Sequence, residues 1–304
     1  MTQALYIEIA KAEKSMIDKG ERRLNVSGVL RILGVSRSGY WAFKKKPPSS
    51  RQIRKAALMG EIKEIHDESH QNYGAPKITE VLRDRGWVIS TKTVGNYMRE
   101  MGIRAQYVKP FKKTTIDPDF STELRNILGR DFSPTSPNAV WCSDITYIWT
   151  FTGFVYLTVI IDLFSRRVVS WVLSRSLEAK WVVMAVEEAK QKRGIDRPLV
   201  MHSDRGAQYT CSAYREATEV FVNSYSDKSN PWDNACAESF IALIKREWLN
   251  RFRIFDYSHA YKLVFEYIET FYNTVRIHGH CGYLSPLDYE KAFWEEKEVV
   301  REAA

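Results

Sequence analysis

The sequence predicts a mixed α/β layer fold, preceded by an all-α, basic region of helix-turn-helix type. Three observations point there. Residues 1–115 hold 23 Lys+Arg against 11 Asp+Glu, whereas residues 116–304 hold 22 against 26. The front half shows helical periodicity with Gly and Ser at turn and cap positions. The back half opens with three runs rich in Val, Ile, Tyr and Trp, then alternates helical and strand patterns in the order β-β-β-α-β-α-β-α.

Taken in order, residues 4–19 read as a short amphipathic helix. The run Val26-Ser-Gly-Val-Leu-Arg-Ile-Leu-Gly-Val-Ser-Arg-Ser-Gly-Tyr-Trp-Ala-Phe-Lys44 reads as helix, turn, helix. Gly34 ends the first helix, Ser36 caps the second, and Tyr40, Trp41 and Phe43 are expected to pack it. Arg37 opens that second helix and is a DNA-contact candidate. Lys44-Lys-Lys-Pro-Pro-Ser-Ser50 is a basic linker.

Region 51–115 is a second basic helical DNA-binding candidate. Helix 51–70 precedes a short helix ended by Gly86, and Ser90 caps a helix over 91–102. Lys92, Asn96 and Arg99 fall near one face of that helix and are its DNA-contact candidates. Residues 116–136 read as a Pro-containing linker with one short helix near 120–128, after a basic knot at Lys112-Lys113. From 137 the core begins, with strands over 139–149, 153–162 and 166–173 joined by short turns. Helix 177–193, strand 198–203, helix 210–219, a strand at 220–225, helix 234–251 and an aromatic helix 258–274 follow.

Composition narrows the classes. The chain has 304 residues, 44% hydrophobic and 27% charged, which suits one large or two to three small globular domains. No apolar run approaches a membrane span, and the start lacks a secretory signal pattern, so a cytoplasmic protein without a membrane partner is expected. Cys142, Cys211, Cys236 and Cys281 form no CxxC pair and read as free thiols. A basic front half on a mildly acidic back half suggests a nucleic-acid-gripping module joined to something else.

Three acids carry the chemistry. Asp144 lies in Val140-Trp-Cys-Ser-Asp-Ile-Thr-Tyr-Ile148, Asp204 ends Pro198-Leu-Val-Met-His-Ser-Asp204, and Glu238 sits early in a helix after Asn230-Pro-Trp-Asp-Asn234. Brought together they would repel one another unless a cation lay between them. Mg²⁺ or Mn²⁺ prefers carboxylate oxygens and keeps positions for water and phosphate. Two such ions about 3.5–4 Å apart serve an in-line phosphoryl displacement. Taken singly, Asp204 reads equally as a turn residue and Glu238 as a helix-surface charge. Lys245 lies two turns beyond Glu238 on the same face, placed to touch a phosphate.

Several motifs occur in a fixed order: Trp141-Cys-Ser-Asp-Ile-Thr-Tyr147, Val159-Ile-Ile-Asp-Leu-Phe-Ser-Arg166, His202-Ser-Asp-Arg-Gly-Ala-Gln-Tyr-Thr210, Asn230-Pro-Trp-Asp-Asn-Ala-Cys-Ala-Glu-Ser-Phe240 and Tyr272-Asn-Thr-Val-Arg-Ile-His278 with Ser285-Pro286. Together they resemble the integrase-type catalytic core of DDE transposases. The front half adds Gly34-Val-Ser-Arg-Ser-Gly-Tyr40 and Asn72-Tyr-Gly-Ala-Pro76, so the likeness spans nearly the whole chain. It points to the OrfB-type subunit of insertion-sequence transposases in the family called IS three.

The resemblance implies an RNase-H-like mixed sheet flanked by helices, with Asp144, Asp204 and Glu238 as catalytic metal ligands and Lys245 at the substrate DNA. It implies Mg²⁺, with Mn²⁺ as substitute, and DNA (element ends and target) as partner. It also implies an upstream OrfA-type product, free or as a frameshift fusion, and a homo-oligomer on DNA. The 33 residues between Asp204 and Glu238 are slightly fewer than the family's usual spacing.

Two rival readings stay open: a nuclease of the same fold that cuts without joining, and a helix-turn-helix regulator with an inactive core. His66 and His70, four apart on a helix, read as surface or packing residues rather than zinc ligands, because the acid of His66-Asp-Glu-Ser-His70 is one place too late. Asp162 reads as a strand-end residue. His202 reads equally as a support of the site or a structural histidine. Arg276 and His278 read as DNA contacts or helix caps, and Tyr261, Phe265, Tyr267, Phe271 and Tyr272 as core.

Overall fold

The computed structural model describes residues 2–20, 24–106, 124–195, 197–227 and 231–302. The knot at Lys112-Lys113, Asn230 and residues 116–123 of the expected linker lie outside them. The chain divides into two compact units, Met1–Glu61 and Ile62–Ala304.

The first unit holds α1 (Thr2–Asp18), α2 (Val26–Ile32), α3 (Arg37–Lys45) and the start of α4 (Ser50–Glu68). Tyr6, Ile9, Val26, Leu30 and Tyr40 form its core. Asn25 caps α2 by accepting from the Gly28 N–H at 3.0 Å. Ser36 caps α3 by accepting from the Gly39 N–H at 3.2 Å. Between them Gly34 adopts φ +64°, which turns the chain. Gly39 is required by close approach, since a Cβ there would come within 2.6 Å of the Tyr6 hydroxyl. Tyr40 is buried and Phe43 packs beside it, as expected. Trp41 meets Tyr40 edge to face at 5.4 Å but leaves 37% of its surface in water, beneath the Lys44 ammonium.

The second unit begins with the rest of α4, then α5 (Ala75–Asp84) and α6 (Thr91–Glu100). Ile62, Ile65, Ile78, Leu82 and Val94 are buried where these helices meet. Gly86 at φ +86° ends the turn after α5, and Ser90 caps α6 by accepting from the Thr93 N–H at 3.2 Å.

The five-stranded sheet is built from β1 (Val140–Thr150), β2 (Gly153–Asp162), β3 (Val168–Ser174), β4 (Val200–Ser203) and β5 (Val222–Tyr225), in the order β3-β2-β1-β4-β5. β1–β2–β3 form the expected antiparallel meander, while β4 runs parallel to β1 and β5 parallel to β4. β3 starts two residues later than expected. Buried Asp162 accepts from the Phe164 and Ser165 N–H groups and holds a turn in which Arg166 takes φ +64°. This is the strand-end role read from the sequence.

Helix α7 (Ala179–Arg193) crosses one face of the sheet. Val182, Ala185, Val186 and Ala189 recur at helical spacing and pack on Ile160, Val169 and Val172. Gly194 at φ +58° ends α7 behind a basic last turn. The expected helix 210–219 is two short ones, α8 (Ala207–Thr210) and α9 (Ser212–Ala217), broken where Cys211 is extended.

Helices α10 (Ala235–Glu247), α11 (Tyr257–Tyr267) and α12 (Pro286–Glu302) complete the unit. α11 runs into a π turn over Ile268–Tyr272. α12 was not expected from the periodicity. Its start is held by Ser285, whose hydroxyl accepts from the Asp288 N–H at 3.1 Å.

Residues 124–128 of the expected linker are not helical. They run along the sheet edge instead: Tyr225 N–H donates to the Arg125 carbonyl at 3.0 Å, and Ser224 Oγ accepts from the N–H groups of Ile127 and Leu128. That covers the open edge of β5.

The α4–α6 helices are seated on the helical end of the core. Ile277 N–H donates to the Tyr73 hydroxyl at 2.9 Å, and Lys77 Nζ donates to the Ile277 carbonyl at 2.7 Å. Arg251 donates to the His70 carbonyl and to Asn72 Oδ1. His70 meets Trp248 and Phe271 edge to face. His66 is buried with Nε2 at 3.2 Å from the Arg104 carbonyl, so both histidines serve packing.

Candidate active site at the β1–β4 junction

Strand register brings two of the three acids together. β1 and β4 pair in parallel, with Val140 opposite Val200, Trp141 opposite Met201 and Cys142 opposite His202. Two residues further along both strands stand Asp144 and Asp204. β4 has ended by then, while β1 continues, so the acids emerge at the carboxyl end of β4 where a crevice opens. Both line one cleft of about 190 Å³, with Ile145, Thr146, Tyr147, Tyr156, Leu177, Gln208 and Tyr209.

Local backbone fixes each carboxylate. Asp144 Oδ1 accepts from the Ile145 N–H at 2.8 Å, and Asp204 Oδ1 accepts from the Gly206 N–H at 2.9 Å. Asp204 is therefore a turn residue and a cleft residue at once. A Cβ on Gly206 would sit 3.0 Å from Asp204 Oδ1, so the turn has little room for a larger residue. Beneath the acids lies the buried Tyr209 phenol, 3.0 Å from Ser143 Oγ. Burial, followed by the negative fields of Asp144 and Asp204, pushes its ionisation well up.

Glu238 lies in the first turn of α10, where the helix dipole favours a carboxylate. The helix is tied to β1 beside the first acid: Asn234 Nδ2 donates to the Ser143 carbonyl at 3.3 Å, and Asn234 and Glu238 are one turn apart. Further along, Lys245 Nζ sits 4.8 Å from the ring centroid of Tyr147, which lines the cleft. Glu238 itself is not among the residues lining that cleft. Among the described residues no group of three His, Cys, Asp or Glu side chains stands as a metal-holding cluster.

The donors present suit a hard cation. The residues lining the cleft carry carboxylates, phenols and the Gln208 amide, and no thiol or imidazole is among them. Mg²⁺ is held by one or two carboxylates, with water and phosphate completing its shell, which two aspartates in an open cleft fit.

His202 is buried in the sheet, with Nδ1 at 2.9 Å from Ser224 Oγ and Nε2 at 3.1 Å from Ser226 Oγ. Burial pulls its ionisation down to about 4, so it is a neutral, fully bonded structural residue. Arg276 and His278 are also buried. Arg276 forms a two-pronged ion pair with Glu247, at 2.7 and 2.6 Å, which leaves its side chain no DNA contact, while its N–H donates to the Phe271 carbonyl at 2.7 Å and closes the preceding helix. Of the aromatic stripe, Tyr267, Phe271 and Tyr272 are core, whereas Tyr261, which packs on Trp171 at 5.2 Å, and Phe265 are each nearly half exposed.

Lys92, Asn96 and Arg99 are exposed on one face of α6, where Arg99 donates to Asn96 Oδ1 at 3.0 Å; Arg37 is exposed at the start of α3. Asn234, Tyr209 and Asp233 were not singled out from the sequence. Asp233 is buried and pairs with Arg130 at 2.7 Å, bracing the loop before α10. The position of Asn234 one turn ahead of Glu238 was the signal available.

Comparison with known proteins agrees with the geometry. Residues 134–221 match the family description "Integrase core domain", residues 222–286 match a second family of that description, and residues 53–111 match "HTH-like domain". A transposase for insertion sequence element IS904 from Lactococcus lactis subsp. lactis is 38% identical over 246 residues, spanning 80% of this chain and 97% of the relative. Transposase InsF for insertion sequence IS3A from Escherichia coli K12 is 35% identical over 279 residues, spanning 90% of this chain and 96% of the relative.

Among solved structures, the simian T-cell lymphotropic virus intasome in complex with PP2A regulatory subunit B56 gamma aligns with 75% of this chain and 74% of that chain, at TM-score 0.44 and 15% identity. The HTLV-2 integrase catalytic core in complex with magnesium (dimeric form) aligns with 51% of this chain and 98% of that chain, at TM-score 0.40 and 16% identity. With at least 35% identity to these transposases over most of its length, this chain belongs to the IS3 family of insertion-sequence transposases.

Proposed function

We propose that the protein cuts DNA at the ends of an insertion sequence and joins the freed 3′ hydroxyl to a target strand at the same cleft. The observation that carries this reading is the register match that sets Asp144 and Asp204 side by side at the end of β4. In the first step a water oxygen bonds to the phosphorus at the element's end. The P–O3′ bond breaks, and the proton lost by water is balanced by one gained at the departing 3′ oxygen. In the second step that 3′ hydroxyl bonds to a target phosphorus and the corresponding target P–O3′ bond breaks. No covalent enzyme intermediate is needed.

Asp144 and Asp204 hold the site's negative charge in place through their backbone hydrogen bonds. Glu238 joins them from α10 once DNA is seated, and Lys245 pairs with a phosphate at the cleft wall. A divalent ion bound there, Mg²⁺ or in its place Mn²⁺, supplies positive charge that favours deprotonation of the attacking hydroxyl and offsets charge on the leaving oxygen. Arg37, Lys92, Asn96 and Arg99 grip DNA, the cations mainly through phosphates. The reading includes an oligomer on DNA, an OrfA-type product acting free or as a fusion, and action in the cytoplasm.

The test uses an element end cut beforehand, a target plasmid and Mn²⁺ or Mg²⁺. The wild-type protein is expected to join the two. Asp144→Asn and Glu238→Gln are expected to bind the end normally and lose joining by at least about a thousandfold, on the scale of losing essential electrostatic groups. Joining by Glu238→Gln at the wild-type rate would remove Glu238 from the site. Cutting of an intact element end in a parallel reaction, with no joining of the pre-cut one, would make the protein a nuclease.

A further inference from the structure

Beyond the cleft, the β1–β2 hairpin carries an aromatic strip that the reaction above does not use. Tyr147, Trp149, Phe151, Phe154 and Phe255 each leave between 51% and 62% of their surface in water. The hairpin register sets Trp149 opposite Phe154 and Tyr147 opposite Tyr156, so these four share one face. Tyr147 and Phe154 meet edge to face at 5.4 Å, and Trp149 and Phe151 at 4.9 Å. Phe151 touches Phe255, whose ring stacks on His259. The turn is pinned by the Phe151 N–H donating to the Ile254 carbonyl at 3.1 Å. The inner end of the strip is Tyr147 and Tyr156, which line the cleft with Asp144 and Asp204.

A contiguous row of large exposed aromatics marks a surface that meets a partner. We propose that the partner is unpaired DNA, the bases of a strand leaving the cleft stacking along this strip. The proposal rests on the reading of the cleft as a DNA-processing site.

Three features favour DNA over a second copy of the chain. The strip is continuous with the cleft, so a strand engaged by the acids passes over it. A cation is set against the strip's inner ring: Lys245 lies over Tyr147. Lysine is depleted from protein–protein interfaces, whereas cations among aromatics are what single-strand grooves present. Finally, an edge-to-face pair leaves both faces of its edge-on ring uncovered by its partner, and a ring face is what a base stacks on.

The test measures binding of the full chain to a short oligothymidine, to an abasic strand of the same length, and to a duplex. Trp149→Ala combined with Phe255→Ala is expected to weaken oligothymidine binding about tenfold or more while leaving the abasic strand and the duplex unchanged. Trp149→Tyr combined with Phe255→Tyr is expected to retain it. Phe154→Ala provides a second, independent removal, and circular dichroism checks that each variant is folded.

Unchanged oligothymidine binding in the folded variants overturns the proposal. So does a shift to a smaller species in sedimentation with thymidine binding intact, which would make the strip an interface between copies. Either result leaves the Asp144→Asn joining assay untouched, so failure of the strip and failure of the active-site reading are separate outcomes.

Discussion

Glu247 and Arg276 form the polar anchor of the helix that carries Glu238 and Lys245. Glu247 ends α10 and is 4% exposed; Arg276, beyond α11, is 6% exposed. The guanidinium donates through Nε and Nη2 to the two carboxylate oxygens, and the Tyr267 hydroxyl adds a third bond at 2.8 Å. Burial pulls the Glu247 carboxyl up, but the Arg276 bonds and charge outweigh it and hold it below its ordinary range.

Replacing Glu247 by Met leaves a buried arginine without its counter-charge, a loss of about 3–5 kcal/mol. At about 2–4 °C per kcal/mol for a unit of this size, the melting temperature should fall by roughly 6–20 °C. Glu247→Met/Arg276→Met removes both charges and should recover most of that loss, because an apolar pair escapes the desolvation cost. Thermal melts of the four proteins of this cycle give the coupling directly.

The pH dependence follows from the lowered carboxyl. The stabilisation is complete above the unfolded value near 4.5 and is lost as pH falls through the folded value, so Glu247→Met should converge with wild type in acid. A double variant as unstable as the sum of the singles would refute the argument.

Two further outcomes follow from other sites. Burial first, and then the Arg276 charge, pulls Lys77 down to about 7 against the opposing field of Glu247; Arg246 adds to the fall, and the Tyr73 ring lies 4.8 Å from the amine. The unfolded chain therefore binds the extra proton between about 7 and 10.5, and the folded protein should gain stability over Lys77→Met as pH rises through that window; parallel melting curves would contradict this. Lys92→Ala on the exposed face of α6 should weaken duplex binding for all sequences and reduce the salt slope by about one; an unchanged slope in a titration with salt would remove Lys92 from the phosphate contacts.

The strands were legible because their alternation and β-branched composition are local properties. All five strands begin and end within two residues of the sequence expectation. What the sequence did not reveal depended on contacts made at a distance. The start of β3 depends on how buried Asp162 gathers the N–H groups of the following turn. The pattern over 124–128 reads as linker and helix, yet Ser224, nearly a hundred residues away, receives the N–H groups of Ile127 and Leu128. α12 has a clear opening in Ser285-Pro286, but its interior mixes charged and aromatic residues without a clean apolar stripe. Arg276 and His278 looked like surface residues because their motif is polar, and only the fold supplies Glu247 as the counter-charge.

The acids divide in the same way, for a physical reason. Asp144 and Asp204 are related by strand register, and register is strongly specified where one face of a sheet packs on a core, because a slip of one residue would turn Trp141 and Met201 away from the cluster they share with α7. Their proximity was therefore within reach once β1 and β4 were read as partners. Glu238 rides on a helix, and no ladder sets its height above the sheet. Its place depends on the Asn234 amide at one end of α10 and the Glu247–Arg276 pair at the other. A site built this way has a fixed half, given by the sheet, and a half whose position follows the packing of a single helix. The sequence shows that Glu238 is on that helix; the contacts at both of its ends decide where the carboxylate stands.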